Sequence, residues 1–312
     1  MATAFVFPGQ GSQAVGMGKD LADALPEARE VFEEVDEALN FKLSRLMWEG
    51  PPEDLMLTEH AQPALMAVSV AAVRAIRKGG YDIAAKLDYV AGHSLGEYSA
   101  LTATGALSLT DSARLLRRRG QAMQQAVPVG EGAMAALLGA DLDLALEIVA
   151  EAADGDVCQV ANDNGGGQVV ISGARAAVDR AIAIAKDKGV KRAMALPVSA
   201  PFHCALMQPA ADAMAEALGE VSVADPCVAL VANVTADEVV DAADIPGLLV
   251  DQVTKMVRWR ESVLFMRDKG VDRLVEVGAG KVLAGLAKRI DRDISAQSIG
   301  SPQDIDDFFK SL

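Results

Sequence analysis

The N-terminal part of the chain alternates between short apolar runs and longer amphipathic stretches. The apolar runs at residues 3–7 and 87–91 are each followed closely by glycine, which is typical of buried strands. Apolar residues recur with a helical period over residues 27–39, 62–78 and 111–125, which predicts amphipathic helices. Because strands and helices alternate, the pattern favours an α/β fold with a mainly parallel sheet.

The middle of the chain has a different pattern. Its predicted elements run strand, helix, strand, strand, helix, strand, over residues 133–138, 141–152, 157–161, 168–172, 174–188 and 190–196. This order is typical of a ferredoxin-like unit. We therefore predict a ferredoxin-like small domain at residues 129–197, inserted into a larger domain formed by residues 1–128 and 198–312. The larger domain resumes with a helix from Cys204 and strands at 228–232, 273–277 and 294–298.

Composition excludes several classes of function. The 312 residues include 29 Lys and Arg against 44 Asp and Glu, a net charge of −15, which argues against general affinity for nucleic acid or anionic membranes. The longest uncharged apolar stretch, residues 64–73, is far shorter than the roughly 20 residues of a membrane span. No basic residue precedes Lys19, so no signal peptide is expected. Three widely spaced cysteines predict neither a disulfide framework nor a metal site, and we expect a cytoplasmic enzyme.

Residues 92–96, Gly-His-Ser-Leu-Gly, fit the nucleophile-elbow pattern G-x-S-x-G. The motif lies between a predicted strand and helix-compatible sequence, which is the context that the elbow requires. Two glycines permit a tight turn that exposes the serine hydroxyl at the edge of the sheet. We predict that Ser94 is a nucleophile, although a chance Gly/Ser loop is the alternative.

A nucleophilic serine needs a base, and the chain has three histidines. His93 is adjacent to Ser94 on a sharp turn, where neighbouring side chains diverge. His60 precedes the predicted helix start near residue 62, where a capping or exposed role is expected. His203 follows a strand in a loop, where α/β enzymes build their sites. Elimination favours His203 as the base, with a hydrogen-bonded structural histidine as the alternative.

The loop after the first strand, residues 8–13, supports two interpretations. Its backbone N–H groups could face the active site and stabilise an oxyanion. Alternatively, Gly9, Gly11 and Ala14 match the dinucleotide-binding pattern G-x-G-x-x-A, with Glu33 at a suitable distance for a ribose. The second interpretation predicts a nicotinamide-dependent oxidoreductase.

Two polar side chains fall on apolar stripes of predicted helices. Arg119 lies on the stripe formed by residues 115, 116, 122, 123 and 126, and a buried arginine needs an anion because it keeps its charge. That anion is either one of the protein's own carboxylates or the carboxylate of a dicarboxylic half-thioester. Gln252 lies on the stripe of Leu248, Leu249 and Met256, either as a core glutamine or as a site residue.

Taken together, these residues resemble the malonyl-CoA:acyl-carrier-protein transacylases, within the acyltransferases of fatty-acid and polyketide synthesis. The resemblance covers nearly the whole chain. It rests on Phe-Pro-Gly-Gln-Gly-Ser-Gln at 7–13, Gly-His-Ser-Leu-Gly-Glu at 92–97, Arg119-Gly120, Asn162, His203, Gln252, Glu-Val-Gly at 276–278 and Gly-Lys-Val-Leu at 280–283. It implies an α/β-hydrolase-like core with a parallel sheet and a ferredoxin-like insert.

The resemblance also implies roles for individual residues. Ser94 would be acylated, and His203 would be its base, oriented by the backbone carbonyl of Gln252. The backbone N–H groups of Gln10 and Leu95 would form the oxyanion hole.

Three further positions would contact the acyl group. Arg119 would pair with the malonyl carboxylate, and Asn162 stands at a matching position. Phe202 would crowd an α-methyl branch, which favours malonyl over methylmalonyl. Gln252 would also belong to the substrate-binding residues.

The implied reaction is ping-pong transfer of a malonyl group from malonyl-CoA to the phosphopantetheine thiol of acyl carrier protein, through a malonyl-serine. We expect the carrier protein and CoA as partners, no nucleic acid or membrane, no metal or cofactor, and a monomer. A serine esterase or thioesterase, the oxidoreductase above and a catalytically silent carrier-binding module are the alternatives.

Overall fold

A computed structural model of the protein describes residues 2–312. Over this range the strands are β1 (Ala2–Phe7), β2 (Tyr89–Gly92), β3 (Gly132–Leu138), β4 (Cys158–Asp163), β5 (Gln168–Ala174), β6 (Arg192–Ala195), β7 (Ala229–Val231), β8 (Glu238–Val239), β9 (Val271–Val277) and β10 (Ser295–Ile299). The helices are α1 (Lys19–Ala24), α2 (Pro26–Leu39), α3 (Leu43–Glu49), α4 (Pro52–Met56), α5 (Thr58–Lys78), α6 (Ile83–Lys86), α7 (Gly96–Ala103), α8 (Leu109–Gln125), α9 (Leu142–Ala153), α10 (Arg175–Asp187), α11 (Gln208–Gly219), α12 (Ile245–Thr254), α13 (Trp259–Asp268), α14 (Val282–Ile290) and α15 (Pro302–Lys310).

The larger sheet has six strands in the order β10-β9-β1-β2-β7-β8. Its central strand β1 is buried on both faces: Phe5 and Phe7 enter one apolar cluster, whereas Ala4 and Val6 enter another. Parallel sheets are typically covered on both faces in this way. Every pairing from β10 to β7 is parallel, as predicted for a mainly parallel sheet, and the short edge strand β8 runs antiparallel to β7.

The smaller sheet is antiparallel, with the order β4-β5-β3-β6. Along the chain its elements run strand, helix, strand, strand, helix, strand, and α9 and α10 pack on it. Residues such as Leu137, Ile148 and Ile171 form an apolar core of its own. Met134 and Val170 point away from that core and join the main apolar cluster.

Two helices illustrate how local sequence sets the element boundaries. The α8 helix begins where the side chain of Ser108 accepts a hydrogen bond from the backbone N–H of Asp111, a standard N-cap. The α5 helix begins at Thr58, so the start predicted near residue 62 is wrong and Pro63 lies inside the helix. His60 therefore lies in the first turn of α5, where its ring stacks on Phe41.

The parallel strands bring distant segments to one edge of the larger sheet. β1, β2 and β7 all end there, and each is followed at once by a loop that leaves the sheet. Ligands in open α/β sheets bind outside the carboxyl ends of the strands. A membrane span needs about 20 apolar residues in one helix, and none of the helices between residues 2 and 312 meets that requirement.

Candidate active site

Ser94 lies on a sharp turn between β2 and α7, with a positive φ of 52°. A Cβ atom at Gly92 would lie 1.9 Å from the backbone of Gly96, and one at Gly96 would lie 2.2 Å from the carbonyl oxygen of Phe7. Both positions therefore require glycine. The structure thus contains the strand, turn and helix expected of a nucleophile elbow, with strain of about 1–3 kcal/mol held at the serine.

His203 is the histidine that contacts Ser94. Its Nε2 atom lies 2.9 Å from Ser94 Oγ, and its Nδ1 atom lies 2.7 Å from the backbone oxygen of Gln252. Because a carbonyl oxygen only accepts, Nδ1 carries the proton and Nε2 is free to accept the serine proton. Burial, with a smaller effect from the charge of Arg119, lowers the pKa of His203 to about 3 and keeps the ring neutral.

Arg119 is 1% exposed and reaches the same hydroxyl from α8. Its guanidinium donates to Ser94 Oγ at 3.1 Å, to Gln62 Oε1 at 2.7 Å and to Gln252 Oε1 at 2.8 Å. Its Nε atom has no acceptor within residues 2–312. Over the same range no carboxylate lies within 4 Å of the guanidinium, although surface arginines such as Arg118 do form ion pairs. The chain thus buries a cation among neutral partners.

Gln252 lies beneath this cluster on α12 and is fully buried. Its carbonyl holds His203, its Oε1 atom accepts from Arg119, and its Nε2 atom donates to the backbone oxygen of Ser94 at 3.0 Å. Its side chain does not line the cavity above Ser94, and its direct contact with substrate stays a prediction. Its contacts are with the residues that do line the cavity.

Gln10 lies in the loop after β1 and Leu95 in the elbow, and both line one cavity with Ser94. Neither backbone N–H donates a hydrogen bond to any residue between 2 and 312. The Gln10 side chain is held by Thr58, whose hydroxyl donates to Oε1 at 3.0 Å. Two unpaired N–H groups beside a nucleophile are the donors that a developing oxyanion needs.

A cavity of about 360 Å³ opens above Ser94, between the edge of the larger sheet and the smaller sheet. Most of the predicted site residues line it: Gln10, Ser94, Leu95, Arg119, Asn162, Phe202 and His203. Asn162 and Phe202 are buried, with 6% and 8% of their surface exposed. The cavity is large enough for an acyl group together with part of a thiol-bearing arm.

The other two histidines have neighbours of their own. His93 lines the cavity, but its Nε2 atom lies 2.8 Å from Asn164 Oδ1 and not against Ser94. His60 Nδ1 lies 2.7 Å from the backbone oxygen of Asp54. Both observations agree with the elimination that favours His203.

The loop after β1 is not followed at once by the helix that a dinucleotide-binding site requires. A phosphate-binding fingerprint requires a helix to begin at the glycine-rich turn, whereas α1 begins only at Lys19 and is separated from β1 by the whole loop. Glycine is needed at position 9 for a different reason, because a Cβ atom there would lie 2.8 Å from the carbonyl oxygen of His93. The glycine allows the loop to approach the elbow.

Comparison with known proteins agrees with this geometry. Residues 4–303 match the family model described as the acyl transferase domain. The malonyl CoA-acyl carrier protein transacylase of Bacillus subtilis is 44% identical over 97% of this chain and 95% of its own length, and that of Escherichia coli K12 is 46% identical over 96% of both. The chain belongs to this transacylase family.

Solved structures of the family superpose closely on this one. The acyl-carrier-protein S-malonyltransferase of Bartonella henselae has a TM-score of 0.98 and 55% identity, covering 100% of this chain and 99% of that one. A malonyl-transacylase solved in complex with its type II PKS acyl-carrier protein has a TM-score of 0.97 and 41% identity, covering 100% of both chains. An α/β fold with a mixed sheet and a separate antiparallel sheet is thus shared, and the protein is an acyltransferase.

Three buried polar residues of the site escaped the sequence analysis. Asn233 accepts a hydrogen bond from the backbone N–H of Ser94 at 2.7 Å and donates to the carbonyl of Gly92 at 2.6 Å. Gln62 is the partner of Arg119, and Glu97 accepts from Gln252 Nε2 at 2.8 Å. The position of Asn233 just after a predicted strand was a usable signal, because strand ends carry the site in such sheets.

Proposed function

We propose that this acyltransferase transfers a malonyl group from malonyl-CoA to the phosphopantetheine thiol of acyl carrier protein, through a malonyl ester of Ser94. One observation carries the choice of acyl group: Arg119 is buried beside Ser94 Oγ without a carboxylate partner among residues 2–312. A buried guanidinium binds a carboxylate well. An acyl group with a terminal carboxylate, such as malonyl, would supply that partner.

In the first half-reaction, Ser94 Oγ attacks the thioester carbonyl carbon while its proton passes to His203 Nε2. The carbonyl oxygen becomes an oxyanion, which the backbone N–H groups of Gln10 and Leu95 stabilise. The C–S bond then breaks, and His203 returns the proton to the departing sulfur. The products are the malonyl ester of Ser94 and free CoA thiol.

In the second half-reaction the carrier thiol gives its proton to His203 Nε2 and attacks the ester carbonyl. The same N–H groups stabilise the second oxyanion. The C–O bond to Ser94 breaks, and the proton on His203 returns to Oγ. No step needs a metal or a cofactor, and the base contributes roughly 10²–10⁴-fold to the rate.

Substrate binding also tunes the base. The charge of Arg119 helps to lower the pKa of His203, which makes the free imidazole a weak base. A malonyl carboxylate bound to Arg119 offsets that charge. The pKa of His203 therefore rises when malonyl is bound, and its ability to accept the Ser94 proton improves.

The domain organisation and two further residues of the cavity also belong to this proposal. The smaller sheet has its own apolar core, which supports a ferredoxin-like small domain at residues 129–197, inserted into an α/β-hydrolase-like domain of residues 1–128 and 198–312. Asn162 and Phe202 would contact the acyl group. We also propose that the enzyme acts as a monomer in the cytoplasm and supplies fatty-acid or polyketide synthesis.

The test is intact-protein mass spectrometry after brief mixing with malonyl-CoA. We expect a single malonyl adduct on the wild-type protein, none on Ser94→Ala, and discharge of the adduct by a pantetheine thiol. An adduct lost to water at the same rate with and without thiol would identify a hydrolase. Absence of any adduct would remove the covalent mechanism.

A further inference from the structure

Glu97 is a buried carboxylate that the proposed mechanism does not use. It lies in the first turn of α7, one turn beyond Ser94, and is 1% exposed. No ion pair with a lysine or arginine is formed by it within residues 2–312. Burying an ionised acid without a cation beside it is costly, and hydrogen bonds to its oxygens offset part of that cost.

Its hydrogen bonds lead to the residues that hold the nucleophile and the base. Glu97 Oε2 accepts from Gln252 Nε2 at 2.8 Å and from the backbone N–H of Asn233 at 3.1 Å. Asn233 in turn accepts from the backbone N–H of Ser94. Glu97 is therefore linked to the active site through two neighbours and touches no atom that reacts.

The contact with Gln252 fixes which way its amide points. The Nε2 atom donates to Glu97 Oε2, to the backbone oxygen of Ser94 and, at 3.3 Å, to Asn233 Oδ1. The Oε1 atom then faces Arg119 and accepts from Nη2 at 2.8 Å. A flipped amide would set its oxygen against three acceptors and its NH₂ against a guanidinium. The contact with Glu97 is the shortest of the three, so Glu97 contributes most to this orientation.

We propose that Glu97 is a positioning residue for acyl selectivity: acting through the Gln252 amide, it keeps Arg119 aimed at the carboxylate of the bound acyl group. The proposal rests on the function proposed above, in which Arg119 recognises malonyl. It assigns no direct contact between Glu97 and substrate. It predicts that loss of the acceptor at Glu97 lowers malonyl transfer more than acetyl transfer.

The acceptor, and not the negative charge, is what the arrangement needs. Burial raises the pKa of Glu97 to about 7, while the hydrogen bonds from Gln252 and Asn233 oppose that rise. In either protonation state one oxygen can still accept from Gln252 Nε2. A glutamine at this position offers the same oxygen, whereas a methionine of similar size offers none.

The experiment compares Glu97→Met with Glu97→Gln, using rates of acylation by malonyl-CoA and by acetyl-CoA. For Glu97→Met we expect the malonyl-to-acetyl ratio of kcat/KM to fall about 10- to 100-fold, the effect of leaving a buried donor without its acceptor. Glu97→Gln should stay within about 3-fold of wild type, a difference below that of one neutral hydrogen bond. An equal loss for both acyl groups in Glu97→Met, or an equal loss in both variants, would overturn the proposal.

Glu276 provides the matched control. It is also a fully buried glutamate, but it accepts from the backbone N–H of Ala284 at 2.8 Å and caps α14. The same two substitutions there should lower the melting temperature and leave the malonyl-to-acetyl ratio unchanged. A changed ratio would show that any buried glutamate moves it, which contradicts a specific role for Glu97.

A double variant keeps the test decisive if Glu97→Met does not fold. Glu97→Met combined with Gln252→Met removes both side chains of the Glu97–Gln252 hydrogen bond, so no Gln252 amide is left without this acceptor. If Glu97 acts through the Gln252 amide, the double variant has the same acyl ratio as Gln252→Met alone. A further fall in the ratio would refute this route. A wild-type protein that malonyl-CoA does not acylate refutes the proposed function, whereas an acylated wild type with an unchanged ratio in Glu97→Met refutes only the role of Glu97.

Discussion

The Nη2 atom of Arg119 lies 3.1 Å from the Oγ atom of Ser94, so a buried guanidinium and the nucleophile are in hydrogen-bond contact. In the proposed mechanism, the side chain that would bind the malonyl carboxylate therefore also donates to the hydroxyl that would form the ester. His203 approaches the same oxygen atom at 2.9 Å. The proposal thus couples acyl selectivity and nucleophilic attack through one atom.

Replacing Arg119 should change selectivity more than activity. We expect Arg119→Ala to lose at least about 100-fold in kcat/KM for malonyl-CoA, because a buried charge-assisted contact is lost. Acetyl transfer should be retained or increased, since Ser94 and His203 keep their own hydrogen bond. Steady-state kinetics with both acyl-CoA substrates measure the ratio.

Arg118→Ala is the matched control for that change. Arg118 follows Arg117 on the same helix, but it is half-exposed and pairs with Glu216 and Glu220. Its removal should leave the malonyl-to-acetyl ratio at the wild-type value. An unchanged ratio in Arg119→Ala would contradict the assignment of the malonyl carboxylate to this residue.

The depressed pKa of His203 predicts an unusual pH profile. With its pKa near 3, well below the ordinary 6.5, the imidazole stays neutral and able to accept a proton as the pH falls from 7 to 5. The kcat/KM for acetyl-CoA, whose acyl group has no free carboxylate, should therefore be nearly flat over that range. A histidine of ordinary pKa would lose about fivefold between pH 6.5 and 5.5.

The same profile in Arg119→Ala tests the cause of the shift. Removing the guanidinium removes one charge that lowers the pKa of His203. The pH below which kcat/KM falls, the acid limb of the profile, should therefore move to a higher value. Burial, the larger cause, remains, and the limb should still lie below 6.5. A limb that moves to lower pH in the variant would contradict the proposed coupling.

The residues with a strong local signal were predictable from sequence. Ser94 was identified by its glycine spacing between a strand and a helix, and Arg119 by its place on an apolar helical stripe. Both signals depend on residues nearby in the sequence, so they can be recognised without knowledge of the tertiary fold. His203 could be identified as the candidate base by elimination, because the chain has only three histidines.

The hydrogen-bond network beneath the site was not predictable in the same way. Glu97, Asn233 and Gln252 meet only because α7, the loop after β7 and α12 converge at one edge of the sheet. The sequence around a buried glutamate on a helix does not predict which distant residue will be its hydrogen-bond partner. The contacts of the Gln252 side chain with Arg119 and Glu97 could not be foreseen for the same reason, since helical periodicity indicates burial but not which neighbour is met.

Phe202 should limit the size of the acyl group. Its side chain lines the cavity next to His203 and is buried. We expect Phe202→Ala to raise the methylmalonyl-to-malonyl ratio of kcat/KM by about 10-fold or more, the usual value of accommodating one methyl group. Competition between the two acyl-CoA substrates, read by mass of the acyl-enzyme, measures this ratio. Phe265→Ala, which alters a phenylalanine packed on Tyr89 away from the cavity, should leave it unchanged.

Glu97 should also make the stability of the protein depend on pH. Its pKa is about 7 in the folded protein and near 4.5 in an unfolded chain, so between these values the folded state holds a proton that the unfolded state releases. Wild-type stability from this group is therefore complete below pH 4.5 and is lost as the pH rises through 7. Glu97→Gln cannot ionise and should escape the loss.

The measurement is the free energy of unfolding in urea at pH 5, 6, 7 and 8 for both proteins. We expect the stability of Glu97→Gln relative to wild type to increase with pH, by up to about 3 kcal/mol across the range. Glu49→Gln, at an exposed carboxylate, controls for the change in net charge. A difference that is constant with pH, or that shrinks as the pH rises, would mean that the Glu97 carboxyl is not held in its neutral form by burial.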